Sequence, residues 1–272
     1  MKPSRLTTFA AFASLASAMT LSAQGVISYT PGVRHYHLVS VINRTQEVQG
    51  QKMEFKITNE QQVSLSLAPH GKDTLDFALT LDSTSLTSDR PELQLPDVSQ
   101  MKGTRVSGAM SRSGKVFHFV SNKSPTDDDT KSLVEGMTRF LIAPPPNAKV
   151  GTSWVDTTSS TVQRDGAQLD MRTITTSTIL GDTVYEGQKA WRVQRTLILS
   201  LHGTQSQQGQ NWKVDGDGTG RGMYYVSAAG VYLGSDAMQS MNMKVAPPAG
   251  GDAIPVEQVV TSKVELLGTG SQ

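Results

Sequence analysis

The chain has 272 residues, 25 of them basic and 24 acidic, and its formal net charge is +1. It lacks the basic excess typical of proteins that bind nucleic acid or anionic membrane surfaces, so neither partner is expected. The absence of cysteine excludes disulfides, a cysteine nucleophile and a lipid anchor on a cysteine. Burial and backbone hydrogen bonds must therefore stabilise the fold.

The first 23 residues have the pattern of a secretory signal peptide. Lys2 and Arg5 precede an uncharged stretch, 6–23, that ends in the small residues Ser22 and Ala23. We predict cleavage after Ala23, which leaves residues 24–272 as a single β-rich domain with no transmembrane anchor. The protein is therefore expected to be periplasmic or secreted.

Most of the remaining sequence alternates apolar and polar residues with a period of two, which predicts β-strands. The clearest hairpin pairs residues 63–67 with 75–81 through a turn at 70–73. Residues 88–103 contain two prolines and no sustained period, which predicts a surface loop. The other predicted strands are 35–43, 53–57, 106–111, 115–120, 154–162, 168–180, 190–202, 211–214, 222–227, 231–239 and 256–267.

One amphipathic helix is predicted at residues 127–142. Thr126 and Asp129 have the spacing of a capping box, and the apolar residues that follow fall on one stripe. Three prolines, 144–146, then end the helix. The predicted fold is mainly β: one large curved antiparallel sheet, a half-barrel or barrel, with this helix packed against it. Two similar halves meeting near 143–150 are possible within the domain.

Two turn sequences, 111–114 (Ser-Arg-Ser-Gly) and 227–230 (Ser-Ala-Ala-Gly), resemble each other, and each is predicted to form a hairpin tip. Four-residue matches arise easily from turn chemistry alone, so a true duplication stays open beside that simpler interpretation.

The proline-ended helix, residues 150–154 (Val-Gly-Thr-Ser-Trp) and residues 187–191 (Gly-Gln-Lys-Ala-Trp) resemble a family of exported bacterial proteins of unknown function. The pattern is also distantly similar to lipoprotein carriers of the LolA and LppX type. That second resemblance implies a curved antiparallel sheet wrapped around helices, with acyl chains held between sheet and helices.

Two groups of polar residues were considered as metal ligands. His35 and His37 share a face of a predicted strand, but no third ligand is identifiable, which favours ordinary sheet histidines. Asp215 and Asp217 lie in Asp-Gly-Asp-Gly-Thr-Gly, which resembles the start of a calcium loop. Val226 stands where such a loop needs its twelfth-position acid, so a hairpin tip is expected there instead.

A third group consists of methionines. Met238, Met241 and Met243 could bind Cu(I) through their thioethers. On a strand, however, Met241 and Met243 share a face and Met238 points the other way, which favours core filling. No metal site and no cofactor are predicted.

No nucleophile motif of the Gly-x-Ser-x-Gly type occurs in the chain, so it is expected not to be an enzyme. We expect an exported protein that binds an apolar, lipid-like ligand or an envelope protein partner between sheet and helix. The expected ligand-binding residues are Leu133, Met137, Phe140 and Leu141. The alternative is a structural or protein-interaction module of the cell envelope with no ligand cavity.

Overall fold

The computed structural model describes residues 27–48, 50–93, 95–122, 141–164, 167–207, 210–248 and 250–270. These residues form eleven strands and one turn of 3-10 helix, Ser99–Met101. The strands are β1 Gly32–Val48, β2 Gln51–Pro69, β3 Thr74–Ser88, β4 Arg105–Ser111, β5 Val116–Ser121, β6 Ser153–Arg164, β7 Ala167–Tyr185, β8 Gln188–Gln207, β9 Gln210–Ser227, β10 Tyr232–Ala246 and β11 Ile254–Gly270.

All eleven strands belong to one antiparallel sheet, in the order β5-β4-β3-β2-β1-β11-β10-β9-β8-β7-β6. Strands that are consecutive in the sequence pair with each other within β1–β5 and within β6–β11, as expected of hairpins. The pairing of β1 with β11 joins the two series, with Leu38 opposite Val264 and Ile42 opposite Val260. The edge strands are β5 and β6.

Several strands are much longer than the five or six residues that are usual. β8 has 20 residues, which corresponds to about 65 Å of extended chain. The strands therefore have two well-separated ends. We call the end with the turns 70–73, 112–115 and 228–231 the closed end, and the end with the turn 247–253 the open end.

The hydrophobic core lies at the closed end, on one face of the sheet. We call this the inner face; it carries Tyr36, Leu65 and Val264, and the opposite face is the outer face. Alternate residues of each strand point to the inner face, so that β2 and β3 bury every second residue in this half. The largest fully buried side chains are Tyr29, Tyr36, Tyr232, Ile27, Leu65, Leu67, Leu75, Leu81, Met110, Ile142, Ile179 and Val106.

Residues 27–30, which we call the clip, connect two distant hairpin tips. The amide of Tyr29 donates to the Arg112 carbonyl at 2.6 Å, and the amide of Thr30 donates to the Gly230 carbonyl at 3.3 Å. Four strands, β3, β2, β1 and β11, separate these hairpins in the sheet. Because two consecutive residues span only about 7 Å, the sheet must curl strongly toward its inner face at the closed end.

The two tips have the same hydrogen bonds, as their similar sequences indicated. The Ser111 hydroxyl accepts from the Lys115 amide at 3.0 Å, and the Ser227 hydroxyl accepts from the Val231 amide at 3.0 Å. Both serines are therefore the last strand residues before a hairpin turn. Whether the two halves of the domain are a duplication stays a prediction.

The large antiparallel sheet is confirmed, and of the two predicted forms it is not the barrel, since β5 and β6 do not pair with each other in the described residues. One detail of the strand prediction was wrong. The segments 211–214 and 222–227 form one continuous strand, β9, and not two strands around a hairpin tip. The predicted helix, apart from its last two residues, lies outside the described residues; Leu141 and Ile142 are irregular and buried.

Candidate functional site

The inner face continues far beyond the core toward the open end, and it stays less exposed than the outer face. In β10, Met241 and Met243 are half-buried, and Asn242 and Lys244, which alternate with them, are exposed. Neighbouring strands show the same alternation. We call the inner face of this open half the trough.

The trough is predominantly apolar. Leu199, Leu201, Val214 and Val256 are buried, at 2–7% exposure, although they lie outside the core cluster at the closed end. Their half-buried neighbours on the inner face are Ile42, Met53, Phe55, Ile57, Leu169, Met171, Leu197, Met241, Met243, Val245 and Val260. A continuous apolar surface of this kind suits a long apolar ligand better than a compact polar substrate.

A stripe of glycines runs along the trough on β9. Gly216, Gly218, Gly220 and Gly222 pair with Met243, Met241, Gln239 and Ala237 of β10, so all four face inward. A β-carbon at Gly218 would lie 2.6 Å from the Ser240 carbonyl oxygen, and one at Gly222 would lie 2.8 Å from the Ala237 β-carbon. Glycine at these positions lets the backbones of β9 and β10 approach each other closely while they bend, and it leaves this part of the inner face without side chains. We call this part of the inner face the trough floor.

Arg195 lies on the inner face where the trough meets the core. Its guanidinium carbon is 4.6 Å from the centroid of the Tyr224 ring, and its Nη2 donates to the Leu141 carbonyl at 3.1 Å. A small cavity of about 140 Å³ adjoins it, lined by Leu197, Gly222 and Val260 among others. A cation therefore stands at one end of an otherwise apolar surface.

A second arginine, Arg44, lies within the trough itself. It stands opposite Phe55 on β2 and Gln258 on β11, and its guanidinium carbon is 5.8 Å from the centroid of the Phe55 ring. Burial among apolar neighbours lowers its pKa below the usual arginine value.

The outer face has a different cavity, an open groove of about 730 Å³. Its lining combines apolar residues such as Val39, Val41 and Met238 with charged residues such as Asp236 and Lys263. Lys263 also forms an ion pair with Glu265 at the groove, which lowers the pKa of the Glu265 carboxyl. Mixed charge makes this groove less suited to an apolar ligand than the trough.

The ligand-binding residues predicted from the sequence are mostly untested. Leu133, Met137 and Phe140 lie outside the described residues. Leu141 is buried in the core cluster at 6% exposure, where its carbonyl accepts the Arg195 hydrogen bond. Their role in ligand binding remains a prediction.

Among the described residues, the histidine and aspartate candidates from the sequence do not converge. His37 pairs with Glu265, and the pairing continues across β10 to Tyr225 on β9. Asp215 lies ten residues before Tyr225 on β9, so about 33 Å along the strand separate Asp215 from the row that contains His37. Asp215 instead contacts His202 at 3.2 Å and Lys213 at 3.0 Å on the exposed outer face. Within the described part of the chain no group of three metal-ligating side chains occurs.

The methionine prediction is confirmed in its geometry. Met241 pairs with Gln258, Met243 with Val256 and Met238 with Thr261, which places the first two on the inner face and Met238 on the outer face. Met238 is 43% exposed. Two of the three thioethers therefore line the trough and the third lines the outer groove.

Sequence reasoning missed Arg44 and the role of the glycines. The predicted first strand ended at residue 43, one residue before Arg44, whereas β1 continues to Val48. The glycines were interpreted as turn residues, although their strict spacing of two along 216–222 is the signal of one face of a strand. That spacing indicates that the four glycines share one face of a strand, which is the trough floor.

No family model matches the chain, and no curated protein matches it. Similar solved structures include a DUF1329 family protein from Desulfovibrio piger, 8% identical over 88% of each chain with a TM-score of 0.19. A Vibrio parahaemolyticus domain described as an outer membrane lipoprotein-sorting protein is 7% identical over 87% of this chain and 85% of its own, with a TM-score of 0.20. OccK2 of Pseudomonas aeruginosa is 7% identical over 86% of this chain and 98% of its own, with a TM-score of 0.25.

The Vibrio parahaemolyticus domain carries a description, lipoprotein-sorting protein, of the kind that the sequence resembles. Identities and TM-scores this low do not establish a shared function. Among the described residues, no helix is long and apolar enough to cross a membrane.

Proposed function

We propose that this protein is an exported, non-enzymatic carrier that binds an apolar, lipid-like ligand in the trough. The observation that supports this proposal is the continuation of an apolar inner face beyond the core. The inner positions of β8, β9 and β10 are mostly apolar or glycine there, among them the half-buried Leu197, Met241 and Met243, with Thr173 and Gln239 as polar neighbours.

The physical reason is the cost of apolar surface in water. Each square ångström of apolar surface removed from water stabilises a complex by about 25 cal/mol, so an apolar chain lying along the trough would gain several kcal/mol before the entropy of association is subtracted. The predicted helix residues Leu133, Met137 and Phe140 belong to this proposal as a second wall across the ligand. Leu141, buried in the core cluster, belongs to it as the residue that bonds Arg195 where the trough meets the core.

The alternative function is a protein-interaction module of the cell envelope, and one observation favours it. The edge strand β5 presents Phe117, Phe119 and Val120 at 45–58% exposure. An edge strand with exposed apolar side chains offers both unpaired backbone groups and an apolar patch to a partner protein.

Native mass spectrometry of the protein purified from its own envelope, before and after extraction with organic solvent, separates the two functions. The carrier predicts a mass excess that extraction removes, and the extracted compound then identifies the ligand class. A bare polypeptide mass in both samples contradicts the carrier and leaves the interaction module as the better account.

A further inference from the structure

Arg44 has a positive charge in an apolar environment, and its own side-chain contacts do not neutralise that charge. Its Nε atom is buried and has no hydrogen-bond partner in the described part of the chain. The neighbouring Phe55 ring contributes only a weak cation–π contact at 5.8 Å. A half-buried guanidinium with an unused donor destabilises the protein unless something pairs with it.

In the described strands around Arg44, no carboxylate lies on the same face. Its cross-strand partners are Phe55 and Gln258. The next inner positions on β1, β2 and β11 are Ile42, Gln46, Met53, Ile57, Val256 and Val260. The acidic residues of these strands near the open end are Glu47, Glu54 and Glu257, and all three face outward: Glu54 and Glu257 stand opposite Thr45, and Glu47 stands opposite Lys52.

The rest of the trough is equally poor in negative charge. Among the described strands, the inner positions of the open half contain one acid, Asp156. Asp156 is exposed and lies on the edge strand β6, six strands from β1 in the sheet order. The trough therefore combines an apolar surface with a positive charge that the protein leaves for a ligand.

We propose that the ligand of the trough is a long-chain carboxylate, whose head group pairs with Arg44 and whose alkyl chain lies on the apolar inner positions. This inference rests on the proposed function and specifies its ligand. A guanidinium donates two parallel hydrogen bonds to a carboxylate. The amides of Gln46 and Gln258, at adjacent inner positions, supply further donors.

The charge balance and the dimensions both favour this ligand. A single guanidinium neutralises a single carboxylate, whereas a doubly charged phosphate monoester would keep a net negative charge in an apolar surrounding. From Arg44 on β1 across β11, β10 and β9 to Leu199 on β8, four strand spacings of about 4.8 Å extend for about 19 Å along the inner face. An alkyl chain can therefore lie across the strands, over Met241 and Gly218, whereas along β1 it would cross the polar row of Ser40, Asn59 and Ser262.

Isothermal titration with dodecanoate and with uncharged 1-dodecanol tests the proposal, because the two probes share the alkyl chain and differ in the head group. The wild-type protein should bind dodecanoate about tenfold or more tightly than dodecanol. Arg44→Gln should remove that preference and leave dodecanol binding unchanged. Arg44→Lys should retain most of the preference for dodecanoate. Arg172→Gln is the control, on the exposed outer face of β7, and should retain all of that preference.

Three results would overturn the proposal, and they differ in meaning. Equal affinity of the wild type for both probes refutes the carboxylate preference and leaves an apolar carrier standing. If Arg44→Gln weakens the binding of both probes equally, Arg44 stabilises the protein structure and does not bind the head group. No binding of either probe refutes the proposed function together with this inference.

Discussion

The hydroxyl oxygen of Tyr29 accepts a hydrogen bond from the backbone amide of Ile142, 3.0 Å away and inside the core. The two residues are 113 positions apart. Tyr29 belongs to the clip, whose backbone amides bond the tips of two hairpins. Its side chain therefore joins the clip to the segment after residue 140.

Replacement of Tyr29 by phenylalanine should destabilise the protein by about 1–3 kcal/mol, because the buried amide of Ile142 loses its acceptor. The measurement is the free energy of unfolding in urea at pH 8. Tyr225→Phe is the matched control: Tyr225 stacks on Tyr185 at 4.0 Å between ring centroids, and phenylalanine can keep that stacking. Equal effects of the two substitutions would contradict the role given to the clip.

Stability should also fall in alkaline solution. Burial raises the pKa of Tyr29 to about 12, and burial likewise raises the pKa values of Tyr36 and Tyr232. A raised tyrosine pKa means that the unfolded chain releases its proton first, so stability is complete below pH 10 and is lost as the pH rises toward 12. Tyr29 alone should account for roughly 3 kcal/mol.

The check is the free energy of unfolding as a function of pH from 8 to 11.5. Tyr29→Phe should show a shallower decline than the wild type because it lacks one of the three buried phenols. A decline of equal slope in both proteins would show that Tyr29 is not protected from ionisation in the folded state.

Gly230→Ala should be far more harmful than Gly187→Ala. Both glycines have left-handed backbone conformations, with φ of +73° and +76°, so each alanine has a backbone cost of about 1–2 kcal/mol. At Gly230 the new β-carbon would also collide with the Ser28 carbonyl of the clip, whereas at Gly187 nothing lies within 4 Å. Thermal unfolding of the two variants measures the difference in stability. Equal losses of stability would contradict the close contact between Gly230 and the clip.

Two glycines of the trough floor should respond differently to alanine. At Gly218 the β-carbon would lie 2.6 Å from the Ser240 carbonyl oxygen, which is rigid backbone. At Gly220 the closest contacts are longer, the Leu197 side chain at 3.0 Å and the Met238 carbonyl oxygen at 3.1 Å. Gly218→Ala should therefore cost about 1–3 kcal/mol, and Gly220→Ala should cost less, as urea unfolding can show. The reverse order would contradict the bend assigned to β9 and β10.

Much of the sheet could be predicted because its strands follow local rules. The hairpin of β2 and β3, with its turn at 70–73, follows directly from the period-two pattern of Val63, Leu65 and Leu67. The facing of Met241, Met243 and Met238 was predicted by the same rule. These features depend only on residues that are close together in the sequence, so the sequence pattern is sufficient to predict them.

The trough could not be predicted, because it depends on pairing between distant strands. Arg44 becomes isolated from carboxylates only when β1 pairs with β11, which brings Gln258 to its side. The glycine spacing on β9 has a local explanation as a turn, and only the partners on β10 show that it is a bend in a long strand. The curl of the sheet depends on the clip, whose contacts at Arg112 and Gly230 have no sequence signature.

The most direct test of the trough uses the methionines of β10 and an uncharged fluorescent apolar probe, N-phenyl-1-naphthylamine. Met241→Gln combined with Met243→Gln should weaken probe binding about tenfold, since polar amides replace two apolar side chains of the trough. Met238→Gln, which changes the outer groove by the same chemistry, should leave the affinity within a factor of about two. Loss of binding in Met238→Gln with none in the double variant would contradict the inner-face site and place the ligand in the outer groove.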